Sequence, residues 1–132
     1  MSERAKALQQ YLQQWGGEPF SWSRRNCCHF SAGWVQRCTG VDHLQGIAPV
    51  AGPRGALRLL RQHGGSLQAA VDARLQPILP ALAQVGDLVL LPIGGIHAVG
   101  ICAGRMAAML AVSGEVVHQV MGDAVAGWRV GC

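Results

Sequence analysis

Charged side chains are scarce in this chain: Asp, Glu, Lys and Arg make up 14% of it, against about a quarter in an ordinary soluble domain. Half of the residues are hydrophobic and 18 are glycine. So thin a polar shell fits either a surface covered by neighbouring subunits or one rich in alanine and glycine. A long apolar run is also missing. The longest stretch without a formal charge, Leu88 to Gly104, contains Pro92, Gly94, Gly95, His97 and Gly100. It is too short and too broken for a membrane span and reads as two strands joined at Gly94-Gly95. The start, Met-Ser-Glu-Arg-Ala-Lys, lacks the apolar segment of a secretory leader. Synthesis in a reducing cytosol is therefore expected, and a disulfide framework is not. The five cysteines, Cys27, Cys28, Cys38, Cys102 and Cys132, follow no standard zinc spacing. Cys27, Cys28 and His29 are consecutive, which one tetrahedral site cannot easily use. No metal or other cofactor is expected. Repeats and low-complexity segments are absent too. The 132 residues thus read as one domain, 1–132, long enough to bury its own core.

The charge that is present is basic, with a net +4 and a pI of about 9.1. Arg54, Arg58 and Arg61 fall at helical spacing. They form either a solvated helix face or a surface for an acidic partner.

The densest local signal lies between Phe20 and Gly40. Asn26 is a good helix N-cap, and Gly40 stands where a helix would stop. Phe30, Trp34, Val35 and Cys38 between them make a buried stripe. Cys27 then occupies the first turn, where unpaired N–H groups and the helix dipole favour a thiolate. A cysteine hydrolase presents its nucleophile in this way. The plain alternative is a small buried side chain at a helix start.

Other helices are predicted over Ser2–Trp15, Gly55–His63 and from a Ser66 cap to about Leu75, with breaks at Pro77 and Pro80. After Ala83 the pattern changes to strands: Val85–Leu91, Ala98–Cys102, Met106–Val112, Val116–Val120 and a short Trp128–Val130. Ser113-Gly114 is a hairpin turn. Helices followed by an antiparallel meander imply an α+β architecture.

This order resembles the NlpC-type branch of papain-like cysteine peptidases. Trp22 before Asn26-Cys27, the strand Gly86-Asp87-Leu88-Val89-Leu90 and the strand Val99-Gly100-Ile101-Cys102-Ala103-Gly104 carry the likeness. The whole chain is also similar to a family of short phage and prophage tail proteins related to that fold. Asn26 to Cys28, Thr39-Gly40, Arg54 to Leu60, Gly64-Gly65 and Trp128 to Val130 support this second likeness. The resemblance implies a papain-like fold, with N-terminal helices packed on a C-terminal antiparallel sheet or half-barrel. It implies Cys27 as nucleophile and a histidine on the second strand. It also implies a place in the virion tail, assembled in the host cytoplasm. The partners would be tail tip or hub proteins and bacterial peptidoglycan, with no nucleic acid.

The catalytic set is incomplete on this reading. Two residues before Gly100 stands Ala98, and His97 is one residue early. A one-residue slip in a strand turns a side chain to the other face. His97 serves as the base only if a bulge between Gly94 and His97 shifts the register. The third group falls near Leu110, in an apolar run, and is not identifiable. Ser113, Glu115 and His118 are the nearest polar residues. Cys28 is expected to point towards packing and His29 away from Cys27, with His43 and His63 in solvent. Two functions follow. One is a tail tip or baseplate component built on a retired peptidase fold. The other is an active peptidase or amidase that cuts peptidoglycan peptides during phage entry. Metal binding through Cys27, Cys28, Cys38 and Cys102 would need these to converge in space.

Overall fold

The computed structural model describes residues 2–131. Four helices come first: α1 (Glu3–Gln13), α2 (Cys27–Thr39), α3 (Pro53–Gln62) and α4 (Leu67–Asp72). Six strands follow: β1 (Gln76–Ile78), β2 (Leu88–Ile93), β3 (Ile96–Cys102), β4 (Met106–Leu110), β5 (Val116–Val120) and β6 (Ala126–Arg129). They form one open antiparallel sheet in the order β1-β6-β2-β3-β4-β5. The expected α+β class, helices packed on an antiparallel sheet, is the one found.

The caps set the helix bounds. Ser2 Oγ accepts from the Ala5 amide at 3.0 Å, and Ser66 Oγ from Ala69 at 3.0 Å. Each satisfies an orphan donor of a first turn. At the far end of α2, Gly40 takes φ 81°, a left-handed conformation that stops the helix without a Cβ penalty. The buried stripe of α2 is Phe30, Trp34 and Val35, and that of α1 is Leu8 and Tyr11. These pack on the sheet face made by Leu88, Leu90, Val99, Ile101, Ala108 and Leu110. The opposite face buries Val89, Leu91, Ala98, Cys102, Ala107 and Met109. With both faces covered, the strands read as continuous apolar runs rather than alternations.

Two departures from the expected elements have physical causes. Strand β1 lies where Pro77 predicted only a break. It is an edge strand, paired to β6 alone, and an edge tolerates a residue without an N–H. Strand β2 begins at Leu88, not Val85, because Gly86 takes φ 93° and Asp87 turns inward. That carboxylate is fully buried. Its Oδ1 accepts from Arg4 Nη2 at 2.9 Å and the Val130 amide at 3.0 Å. Its Oδ2 accepts from Arg129 Nη1 and the Gln84 amide, each at 2.9 Å.

Helix α1 crosses α2 closely at Gly33. The Tyr11 hydroxyl donates to the Phe30 carbonyl at 2.6 Å, and a Cβ on Gly33 would overlap that hydroxyl. Gly33→Ala is expected to destabilise the fold by about 1–3 kcal/mol through overpacking, read as a lower urea midpoint. A midpoint equal to or above that of the parent would show that the helices part freely.

Candidate active site

Cys27 is the first residue of α2. The Asn26 carboxamide oxygen accepts from the Cys28 and His29 amides, both at 3.0 Å, and its Nδ2 donates to the Trp22 carbonyl at 2.8 Å. The cap is thus fixed to the preceding turn, which is itself closed by a two-way bridge between Ser21 and Arg25. Arg25 anchors that turn. Its guanidinium lies 4.7 Å from the Trp15 ring centroid, donates to the Gly114 carbonyl at 3.1 Å and also bonds the Trp15 carbonyl. The sequence Trp22 to Cys27 therefore presents the thiol on a tethered helix start.

Cys27 and Cys28 are both half-buried free thiols. A hydrogen bond from the Cys28 side chain is the largest influence on Cys27 and draws its pKa down to about 7, against the opposing effect of burial. The Val99 amide and the first-turn amides add to that lowering. Cys28 moves the other way and holds its proton firmly, through the same hydrogen bond and through burial. Of the two thiols, Cys27 is the one that ionises more readily. Cys28 was expected to serve packing; its placement beside Cys27 gives it an electrostatic part. The signal for this in the sequence is the adjacency of two cysteines in a first turn.

The Val99 amide is available for a reason of topology. The Leu90 carbonyl accepts from the Val125 amide at 2.9 Å, so the polar groups of Leu90 face away from β3. Val99, its partner across the ladder, accordingly directs its own towards β4. There β4 pairs with β3 only at Ile101↔Ala108 and Cys102↔Ala107. The start of α2 meets β3 beyond that pairing.

The expected base does not join this site. The β2–β3 ladder runs unbroken from Leu88↔Ile101 through Pro92↔His97 to Ile93↔Ile96. Gly94 and Gly95, at φ 53° and 87°, form a two-residue turn of the kind that closes a hairpin without a bulge. The register shift that His97 needed is absent. His97 shares its face with Val99 and Ile101 and is exposed at the sheet end, while Ala98 faces the other way. Cys27 packs on the cluster that contains Ala98, Leu91 and Met109. Leu110, at the expected third position, is buried in the helix-side core and has no polar side-chain atom. His118 is exposed on the edge strand β5.

His29 turns to the cap. Its Nδ1 lies 3.0 Å from Asn26 Oδ1, and since that oxygen only accepts, Nδ1 carries the N–H. Burial lowers the His29 pKa, with Asp42 opposing. His43 and His63, expected in solvent, are half-buried instead. The cysteines do not converge: Cys38 is disulfide-bonded, contrary to the expectation from a reducing compartment. Cys102 is buried with its Sγ 3.5 Å from the Gly104 carbonyl. Among the described residues no group of three or more His, Cys, Asp or Glu is placed to hold a metal ion. Among them, too, no helix is long and apolar enough to cross a membrane.

The arrangement supplies a sulfur that is partly ionised at neutral pH, which is one requirement of acyl transfer, attack on a carbonyl. It supplies no imidazole on the face of Ala98 to return a proton to a leaving amine.

The family model described as Domain of unknown function (DUF6950) matches residues 1–130. No curated protein matches the chain. Among solved structures, it is similar to the crystal structure of the NlpC/p60 domain of the peptidoglycan hydrolase SagA. The TM-score is 0.60 at 17% identity, over 95% of this chain and 97% of that one. At that identity the likeness is one of fold, and it agrees with the helix-then-sheet order described above.

Proposed function

The chain belongs to the family described as Domain of unknown function (DUF6950), and we propose that it uses a papain-like scaffold to direct the Cys27 thiolate at peptide carbonyls of bacterial peptidoglycan. The observation that carries this reading is the placement of Cys27. It starts a capped helix, beside the Val99 amide, with its pKa drawn down to about 7 by the Cys28 hydrogen bond first. The likeness of fold to a peptidoglycan hydrolase domain supports the choice of substrate. The share of Cys27 that is ionised at neutral pH needs no base for attack. Departure of the amine still needs a proton, so without a placed histidine hydrolysis is slow, by about 10²–10⁴-fold relative to an enzyme that has one.

The test is alkylation of Cys27 by iodoacetamide as a function of pH. The rate is expected to rise through about pH 7 and then level off, whereas a free cysteine continues to rise towards its own pKa of about 8.5. Cys27→Ala should remove both this labelling and any release of peptide from purified cell walls. A Cys27 profile with an ordinary midpoint, or wall cleavage that survives Cys27→Ala, would end the hydrolase reading.

A second reading, a phage tail tip or baseplate component that docks on a hub protein, is favoured by a different observation. The free edge of the sheet, β5, exposes Val117 and Val120, and Val112 near its start is 80% exposed. An apolar strand edge invites pairing with another chain. A protein that cuts no wall peptide but co-purifies with a tail hub protein, and loses it on Val120→Lys, would support this role. Failure to bind any tail protein would remove it.

A further inference from the structure

We propose that the groove along α3 is a binding site for a small ligand bearing phosphate or carboxylate groups, seated on Arg74 and His63. Two adjoining cavities form the groove. One, of about 460 Å³, is lined by His43, His63 and Arg74 among others; the next, of about 700 Å³, is lined by Arg54 and Arg58. Leu59 and Gln62 border both. No carboxylate lines either one.

Arg74 is built into this position. Its Nη1 donates to the Ala70 carbonyl at 2.7 Å, and its Nη2 lies 3.0 Å from His63 Nδ1. A guanidinium only donates, so His63 Nδ1 is the acceptor and the ring N–H is at Nε2. The pair therefore offers donors and no lone pair to the cavity, an arrangement suited to an oxyanion. Among the described residues, ion pairs are made by Arg4, Lys6, Arg25 and Arg129. Arg54, Arg58 and Arg74, like Arg24, Arg37, Arg61 and Arg105, make no such pair.

Helix α3 adds a second line of argument. It buries none of its residues, so its arginines are not spaced to serve the core. Arg54 and Arg58 stand four apart on one side, where like charges repel. An anion between them removes that repulsion. The first cavity takes one oxyanion, and Arg54 and Arg58 extend the site for a ligand with a second. Leu59 provides an apolar wall between.

Calorimetric titration of the full chain with sodium phosphate, sodium acetate and sodium pyrophosphate, each against sodium chloride at equal ionic strength, tests the site. Saturable binding of phosphate or acetate is expected, and the tighter of the two names the group. Pyrophosphate should bind more tightly than phosphate. Arg74→Gln should weaken phosphate about tenfold or more, as loss of a charged hydrogen-bond donor does. Arg58→Gln should weaken pyrophosphate alone. If Arg74→Gln does not fold, His43→Gln decides the matter, because His43 makes no hydrogen bond in the structure and its loss should still weaken binding about threefold. Cys27→Ala should bind like the parent, which separates this site from the thiol chemistry. Heats that chloride reproduces, or parental affinity in both Arg74→Gln and His43→Gln, would overturn the proposal.

Discussion

Asp87→Ala is expected to lower the stability of the protein by about 3–5 kcal/mol, through the loss of four hydrogen bonds to a buried charge, two of them from arginines that are themselves partly exposed. The carboxylate is fully buried and receives four donors. Two are guanidinium groups from opposite ends of the chain, Arg4 on α1 and Arg129 on β6. Alanine leaves both arginines without a counter-charge, and it orphans the Gln84 and Val130 amides. Arg4 also donates to the Val85 and Val130 carbonyls, so the loss loosens the dock of α1 on the sheet. Urea denaturation followed by tryptophan fluorescence reads the effect, since Trp34 Nε1 donates to the neighbouring Gly86 carbonyl at 2.7 Å. The midpoint should fall well below that of the parent. Asp87→Asn should lie between the two, because an amide keeps the shape and one acceptor but not the charge. A midpoint for Asp87→Ala within about 0.5 kcal/mol of the parent, the range of an ordinary surface change, would show that the hub contributes nothing.

Ala98→His is expected to raise hydrolysis of an activated peptide ester by about 10²–10⁴-fold, the usual contribution of a placed general acid or base. Cys27 packs on the cluster that holds Ala98, and the unbroken β2–β3 ladder sets that residue on the face opposite His97. An imidazole there would take the proton from the thiol and return it to the leaving group. Ala98 is 8% exposed, so the larger side chain must displace neighbours such as Leu91, at about 1–3 kcal/mol of stability. A thermal melt confirms that the variant folds. Two controls isolate the effect: Cys27→Ala in the same background should abolish the gain, and His97→Ala should leave it unchanged. A folded Ala98→His protein with no gain, and with the same pH profile for Cys27 labelling, would show that position 98 does not serve the thiol.

The elements that were legible in the sequence are those with local chemistry. Helix α2 runs from Cys27 to Thr39 because Asn26 and Gly40 specify both ends by their own side-chain and backbone preferences. The β4–β5 turn at Ser113-Gly114 and the strand Val116–Val120 follow from the same kind of signal. Strand β1 was not legible, since Pro77 reads as a breaker until the edge position that tolerates it is known. The half-buried placement of His43 and His63 was hidden for the opposite reason. Loop composition suggests solvent, and only the return of the 43–48 segment against α3 and Arg74 places them in one open pocket.

By itself, then, the sequence determined that Cys27 begins a capped helix and that an antiparallel sheet follows the helices. Both depend on neighbours a few residues apart. It also determined that a strict two-residue period sets Ala98, not His97, two places before Gly100. The tertiary structure decided whether a bulge rescues His97, and the regular turn at Gly94-Gly95 shows that none does. It alone brought Val99 to the Cys27 sulfur and joined Arg4 to Arg129 through Asp87. Those contacts depend on how strands register and where a helix end meets a sheet, and long-range packing settles both.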